Sequence, residues 1–277
     1  MIYKPLVMSN EEYHAKTKYE SSTTLRKALI SPKKYLHDKT AESIPTKAME
    51  EGTAVHTFFL ENELFKNRYC FKPKAFNGRT KEGKQWMEEH GHLNVLAAEW
   101  EENLIHMNHS FLASPAKMIY DMEGLTELSF FSEDLDGIRA KCRPDWISHD
   151  KNIVVDLKTT QDASPKGFQK SIGQFGYHIQ AAFYLRTLQN LGFDSYDFIF
   201  IAIEKTAPFC VGVYRASMEM LEEGNKKVDE AIDKILWCKE NDSYPDYTPN
   251  EIETIDLPPW MTKKKDQTSS DEEIQLY

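Results

Sequence analysis

Alternation of apolar and polar residues dominates the middle of the chain. From Thr126 to Ser132, Glu127 and Ser129 interleave with Leu128 and Phe130, the period of a strand. Asp134 to Gly137 reads as a turn, and Ile138 to Trp146 runs back. A second hairpin follows: Arg143-Pro144-Asp145-Trp146-Ile147 and Ile153 to Thr160 are split by the polar cluster Ser148 to Asn152. With its turn near Asp150, position 145 faces roughly 155, and the Asp145 carboxylate lies about one residue diagonally from that of Asp156. Strand side chains alternate, so Asp156 and Lys158 share one face while Val155 and Leu157 take the other. A third hairpin is expected from Tyr196 to Glu204 and Phe209 to Arg215.

Around these strands the spacing turns helical. Ser21 to Thr24 offer caps for one short helix, and Ser31-Pro32 ends it and opens another. Thr46 to Glu61 predicts a stronger helix, with Ala48, Gly52, Val55 and Phe59 in register and His56 one turn from Gly52. Glycine inside a helix costs roughly 1 kcal/mol against alanine, which suggests that another backbone approaches closely. Trp86 to Met107 reads as one long helix and Phe111 to Asp121 as a short one. Phe168 to Asn190 reads as a single helix closed by Gly192, and Ser217 caps another to about Lys239. Residues 1–20 read as a weakly structured segment, 21–260 as one domain with a helical part at 21–121 and a core at 122–240, and 261–277 as a disordered tail.

Composition narrows the chemistry. A hydrophobic fraction of 40% in 277 residues supports a sizeable core, and no apolar run is long enough to span a bilayer, so a soluble, cytoplasmic protein is expected. Cys70, Cys142, Cys210 and Cys238 stand apart, which excludes a clustered zinc or iron-sulfur site and suggests core thiols. The net charge of -10 argues against coating DNA by bulk electrostatics. Positive charge concentrates between Lys72 and Lys84, where Arg79 suits a phosphate oxygen pair as well as it suits ordinary loop charge.

Asp145, Asp156 and Lys158 suit a hard cation bridging two carboxylates beside an ammonium, the equipment of phosphodiester hydrolysis. By themselves these residues also fit a solvated hairpin with a lysine guarding its edge. Glu127 either joins the acids or is an exposed strand acid, His56 is a ligand or a core histidine, and Gln180 with Tyr184 looks into a site or caps the sheet.

The order of the motifs decides more than any one of them. Gly52-x-x-x-His56, Glu127, Arg143-Pro144-Asp145, Asp156-Leu157-Lys158 and Gln180-x-x-x-Tyr184 resemble the RecB-like branch of PD-(D/E)-x-K nucleases. Ser31-Pro32-x-x-Tyr35, Cys142-Arg143-Pro144-Asp145, Asp156-Leu157-Lys158-Thr159-Thr160 and Tyr177-His178-x-Gln180-x-Ala182-Phe183-Tyr184 resemble the nuclease domain of RecE-type exonucleases (exonuclease VIII). The resemblance implies an α/β, restriction-endonuclease-like core: a mixed central β-sheet flanked by helices, with an N-terminal helical extension. It implies Mg²⁺, with Mn²⁺ as substitute, held by Asp145, Asp156, the Leu157 carbonyl and His56. Lys158 would act on the attacking water, Glu127 would support the metal, and Gln180 and Tyr184 would position the strand, with Arg79 as a further DNA contact. The implied activity is 5′ to 3′ digestion of linear double-stranded DNA ends, delivering 3′ single strands to a single-strand annealing protein. The implied assembly is a homo-oligomeric ring, a trimer or tetramer. A structure-selective endonuclease of the same fold and a non-catalytic scaffold are the competing expectations.

Overall fold

The protein is described by a computed structural model over residues 4–41, 46–193, 196–248 and 252–258. The helical part comprises α1 (Asn10–Ala15), α2 (Ser22–Ile30), α3 (Pro32–Thr40), α4 (Lys47–Leu60), α5 (Asn62–Arg68), β1 (Tyr69–Phe71), α6 (Lys81–His90), β2 (Asn94–Leu96), α7 (Glu99–Leu112) and α8 (Ala116–Tyr120). The core follows as β3 (Leu125–Thr126), β4 (Phe130–Leu135), β5 (Ile138–Cys142), β6 (Trp146–Ser148), β7 (Ile153–Thr160), α9 (Pro165–Phe175), α10 (Tyr177–Asn190), β8 (Asp197–Glu204), β9 (Val211–Arg215) and α11 (Met218–Asn241).

A mixed five-stranded sheet, ordered β3-β6-β7-β8-β9, carries the molecule. Only β7 and β8 run parallel, joined by the α9–α10 crossover; every other neighbour is antiparallel. Both faces of β7 and β8 are covered, which is why they read as nearly continuous apolar runs. Val154, Phe198, Phe200 and Ala202 face the layer built from α2, α3, α10 and α11. Val155, Leu157, Ile199, Ile201 and Ile203 face α4, α7 and α8. The expected mixed sheet between helical layers is therefore present, and no helix among the described residues is long and apolar enough to cross a membrane.

Several local expectations are corrected. β4 and β5 form a separate two-stranded sheet instead of extending the central one. The strand expected from Thr126 to Ser132 is broken at Glu127, whose φ of 53° is left-handed. The strand expected from Ile138 to Trp146 stops at Cys142, before Pro144, which has no N–H for a ladder. The helix expected over Trp86 to Met107 is divided: α6 ends against Gly91, and Asn94–Leu96 pairs in parallel with Tyr69–Phe71. The helix expected over Phe168 to Asn190 is likewise two, parted by Gly176 at a φ of 68° where a Cβ would be strained. Cys142 and Cys238 are buried as expected, but Cys210 is exposed.

Residues 4–20 are also better ordered than their composition suggested. Ser9 and Glu12 close a capping box on α1, Leu6 bridges to Ser129, and the buried Tyr13 ring lies between Lys141 and Arg143, 4.6 and 4.4 Å away. The tail at 261–277 lies outside the described residues.

Candidate active site

The site forms where the central sheet splits. β6 pairs with β7 only from Ile153 to Val155; beyond that, β7 loses its antiparallel neighbour while β8 continues beside it to Thr160. Trp146 faces Val155, so Asp145 comes opposite Asp156, one position from the diagonal expected. The Asp145 carboxylate fills the gap in the ladder: its Oδ2 accepts the Leu157 N–H at 2.6 Å. A strand residue sends its N–H and C=O to the same side, so the Leu157 carbonyl also faces this opening. Asp145 is 9% exposed and Asp156 is 1% exposed, so their charges are not left to solvent.

Other elements converge on the fork. α4 presents His56, with Nδ1 at 3.5 Å from Asp145 Oδ2. The left-handed backbone at Glu127, whose N–H donates to the Asp145 carbonyl at 3.1 Å, brings that carboxylate beside both; ligand atoms of His56, Glu127 and Asp145 lie within 4.8 Å of one another. From α10, Gln180 Nε2 donates to Asp156 Oδ1 at 2.7 Å, and buried Tyr184 stands beside the Gln180 amide. Lys158 Nζ lies 2.5 Å from Asp156 Oδ2. Its alignment makes this contact an ion pair more than a directed hydrogen bond, and Oδ2 has no other donor among the described residues.

The electrostatics follow from burial and from three acids sharing few cations. Burial and the Asp145 charge push the Asp156 carboxyl up to about 6, although Lys158 opposes them. Burial pushes Glu127 up to about 8, with Asp145 adding to it and His56 and Arg143 opposing. Burial would raise Asp145 too, but His56, Lys158 and the Leu157 N–H outweigh it and hold this carboxyl low. Desolvation works against the charged forms of His56 and Lys158, yet the aspartates raise both, so Lys158 is an ammonium.

This donor set fits a divalent cation. A buried carboxylate oxygen lacks an aligned donor, a second carboxylate stands across the fork, and an imidazole, a third acid and a strand carbonyl are at hand. His56, Glu127 and Asp145, whose ligand atoms lie within 4.8 Å of one another, would hold the ion, with Asp156 and the Leu157 carbonyl, expected ligands from the motif, across the fork from them.

Arg79, in contrast, is exposed in the turn before α6, and no interaction among the described residues joins it to the fork. Two contributors carried no expected role. The Tyr177 ring lies 4.7 Å from Lys158 Nζ, and its position three residues before Gln180 on one helix could have revealed it. Arg143 is buried 3.8 Å from Glu127, held by Ser129 Oγ at 2.8 Å and the Met8 carbonyl at 3.0 Å. The motif contains Arg143, but nothing local signals these partners.

With this geometry in place, comparison with known proteins is informative. The chain is similar in fold to a crystal structure named "Putative exonuclease" from Eubacterium rectale. It is 17% identical with a TM-score of 0.64, over 91% of this chain and 97% of that one. A phage related exonuclease from Haemophilus somnus 129PT is 14% identical over 81% of this chain and 96% of that one, but its TM-score of 0.32 carries no argument. No curated protein matches the sequence. The first likeness shows the fold alone. A family model described as a PDDEXK-like domain of unknown function (DUF3799) matches residues 21–258, nearly the whole described chain, and the protein belongs to that family.

Proposed function

We propose that the protein is a divalent-cation-dependent deoxyribonuclease that degrades linear double-stranded DNA from its ends, 5′ to 3′. The observation that carries this reading is the meeting of Asp145, Asp156 and Lys158 where β7 leaves β6. A bound Mg²⁺ or Mn²⁺ would supply Lewis-acid polarisation of the phosphoryl oxygen and a more acidic water.

The chain's own groups account for the remainder. Lys158, kept protonated by two aspartates and faced by Tyr177, donates a hydrogen bond to the attacking water or to a phosphoryl oxygen instead of removing a proton. Gln180 fixes the orientation of Asp156 through Oδ1 and leaves Oδ2 turned into the fork. Arg143 does the same for Glu127 by bringing a guanidinium against it. Gln180 and Tyr184 then form the α10 wall along which a strand would lie, and Arg79 is a more distant phosphate contact. Delivery of 3′ single strands to an annealing protein, and a ring-shaped homo-oligomer, belong to the same proposal and rest on the resemblance of the motifs.

The deciding experiment incubates end-labelled linear duplex and covalently closed circular duplex with the full chain, with and without Mg²⁺. Cation-dependent release of 5′-labelled nucleotides from the linear form alone is expected. Cutting of the circle would instead favour a structure-selective endonuclease, and intact substrate under both conditions would leave a scaffold. In the same assay, Arg79→Ala should weaken DNA association more than turnover and lower the slope of log affinity against log salt by about 1. An unchanged slope removes Arg79 from the interface.

A further inference from the structure

A cleft leaves the catalytic fork on the α4 side of the sheet. It is lined by Asp145 and Leu157 together with Phe59, Phe111 and Tyr120. The same three aromatic side chains continue into a wider cavity of about 190 Å³, which adds Phe58, Asn62 and Asn108. Phe59 lies three residues after His56 on α4, so the cavity begins one helical turn from a proposed metal ligand.

Resting on the nuclease reading above, we propose that this cavity seats one unpaired nucleobase, that of the nucleotide adjoining the scissile phosphodiester. Its walls have the chemistry of a base site: π-faces for stacking and amides able to donate to and accept from a base edge. Phe59 and Phe111 belong to the core, while Tyr120 and Asn108 keep free surface. Tyr120 is 58% exposed and meets Phe111 edge-on, and the half-buried Asn108 amide makes no hydrogen bond among the described residues. Phe59 and Phe111 lie 4.9 Å apart and form a continuous aromatic floor.

Scale and continuity select the occupant. The cavity has the room of about six water molecules at their share of liquid volume, which suits one heteroaromatic ring system and not a base pair. The narrow cleft shares Phe59, Phe111 and Tyr120 with this cavity and is also lined by Asp145, so a base seated in the cavity would carry its own phosphate toward the fork. The cavity therefore favours DNA ends whose last base is already unpaired.

The test places 2-aminopurine, whose fluorescence falls on stacking, at the terminal position of a DNA end. Binding is followed with the full-length Lys158→Ala protein, which should hold DNA without cutting it. Quenching on binding is expected, and it should be lost when Tyr120→Ala and Asn108→Ala are added. In the cleaving protein the same two changes should raise KM roughly five- to hundredfold for a natural end. They should leave KM unchanged for an end abasic at that position, a difference that a merely structural role would not produce. Cleavage without quenching, or equal losses on natural and abasic ends, overturns the base site and leaves the nuclease reading standing. Absence of cation-dependent cleavage by the unmodified protein overturns both.

Discussion

Glu20 and Asp156 are both buried acids, 0% and 1% exposed, yet their surroundings differ in one respect. Glu20 is fully answered. Its Oε1 accepts from Tyr35 at 2.8 Å and from Lys239 at 2.9 Å, and its Oε2 accepts from Lys39 at 3.1 Å. Burial alone would raise its carboxyl, but the two lysines outweigh it and hold the group low. Asp156 has one misaligned ammonium, one neutral amide and a second aspartate for company, and its carboxyl goes up. A carboxylate that joins elements of a fold is supplied with positive charge, whereas one placed for chemistry is left short of it. Glu20 ties α3 and α11 to the β5 edge; Asp156 shares a single ammonium, Lys158, with a second aspartate.

The largest expected effects test the second half of that contrast. Asp145→Ala and Lys158→Ala should each reduce hydrolysis by roughly 10²–10³-fold or more, the scale of lost electrostatic stabilisation of a developing charge. Both variants should stay folded, Asp145→Ala losing the acceptor of the Leu157 N–H and the anion beside His56, and Lys158→Ala being relieved by protonation of Asp156, whose carboxyl is already pushed up to about 6. Undiminished turnover at saturating Mg²⁺ would remove the residue from the site. Unfolding of both variants at ambient temperature would erase the distinction between the clusters.

Glu20→Gln tests the other half. Loss of charge-assisted bonds to Lys39 and Lys239 should cost about 2–3 kcal/mol in urea unfolding while leaving hydrolysis per folded molecule unchanged. The pH dependence supplies the sign. A carboxyl held below its ordinary value of 4.5 stabilises the fold above that pH, and the contribution is lost as pH falls through the folded value. The gap in unfolding temperature between the wild type and Glu20→Gln should therefore be constant from neutral pH to about 5 and shrink below the ordinary carboxyl value of 4.5. A gap that widened on acidification would show that Glu20 is not held as an anion.

The two clusters also differ in how far a sequence reveals them. Asp145, Asp156 and Lys158 lie in one hairpin, where alternation and a short polar turn dictate who faces whom, so their meeting was legible to within one position. Glu20 draws its partners from positions 19 and 219 residues away, which no local period encodes. The same limit applies near the candidate active site. The hold of Met8 and Tyr13 on Arg143 spans 135 and 130 residues, so residues 4–20 looked weakly structured when read alone. Glu127 was expected to alternate on a strand, but it reaches the cluster through left-handed backbone, a conformation its residue type does not announce. Gly176 was overlooked because the helical spacing of apolar residues continues across it; the break follows from a φ that glycine tolerates.

Gly52 offers the smallest effect and a sharp reading of what the fork requires. Sequence alone suggested that another backbone approaches closely there. A Cβ built at this position meets only the Thr159 hydroxyl, at 3.9 Å, an ordinary contact. Gly52→Ala should thus fit without moving α4 away from β7 and should stabilise the protein by about 0.4–1 kcal/mol, because alanine restricts the unfolded chain and favours helix. Hydrolysis should stay at the wild-type level, since His56 keeps its approach to Asp145. A destabilised variant, or one with weakened metal binding, would mean that α4 packs more tightly over the fork than its contact with Thr159 indicates, and that the site depends on backbone proximity as well as on charge.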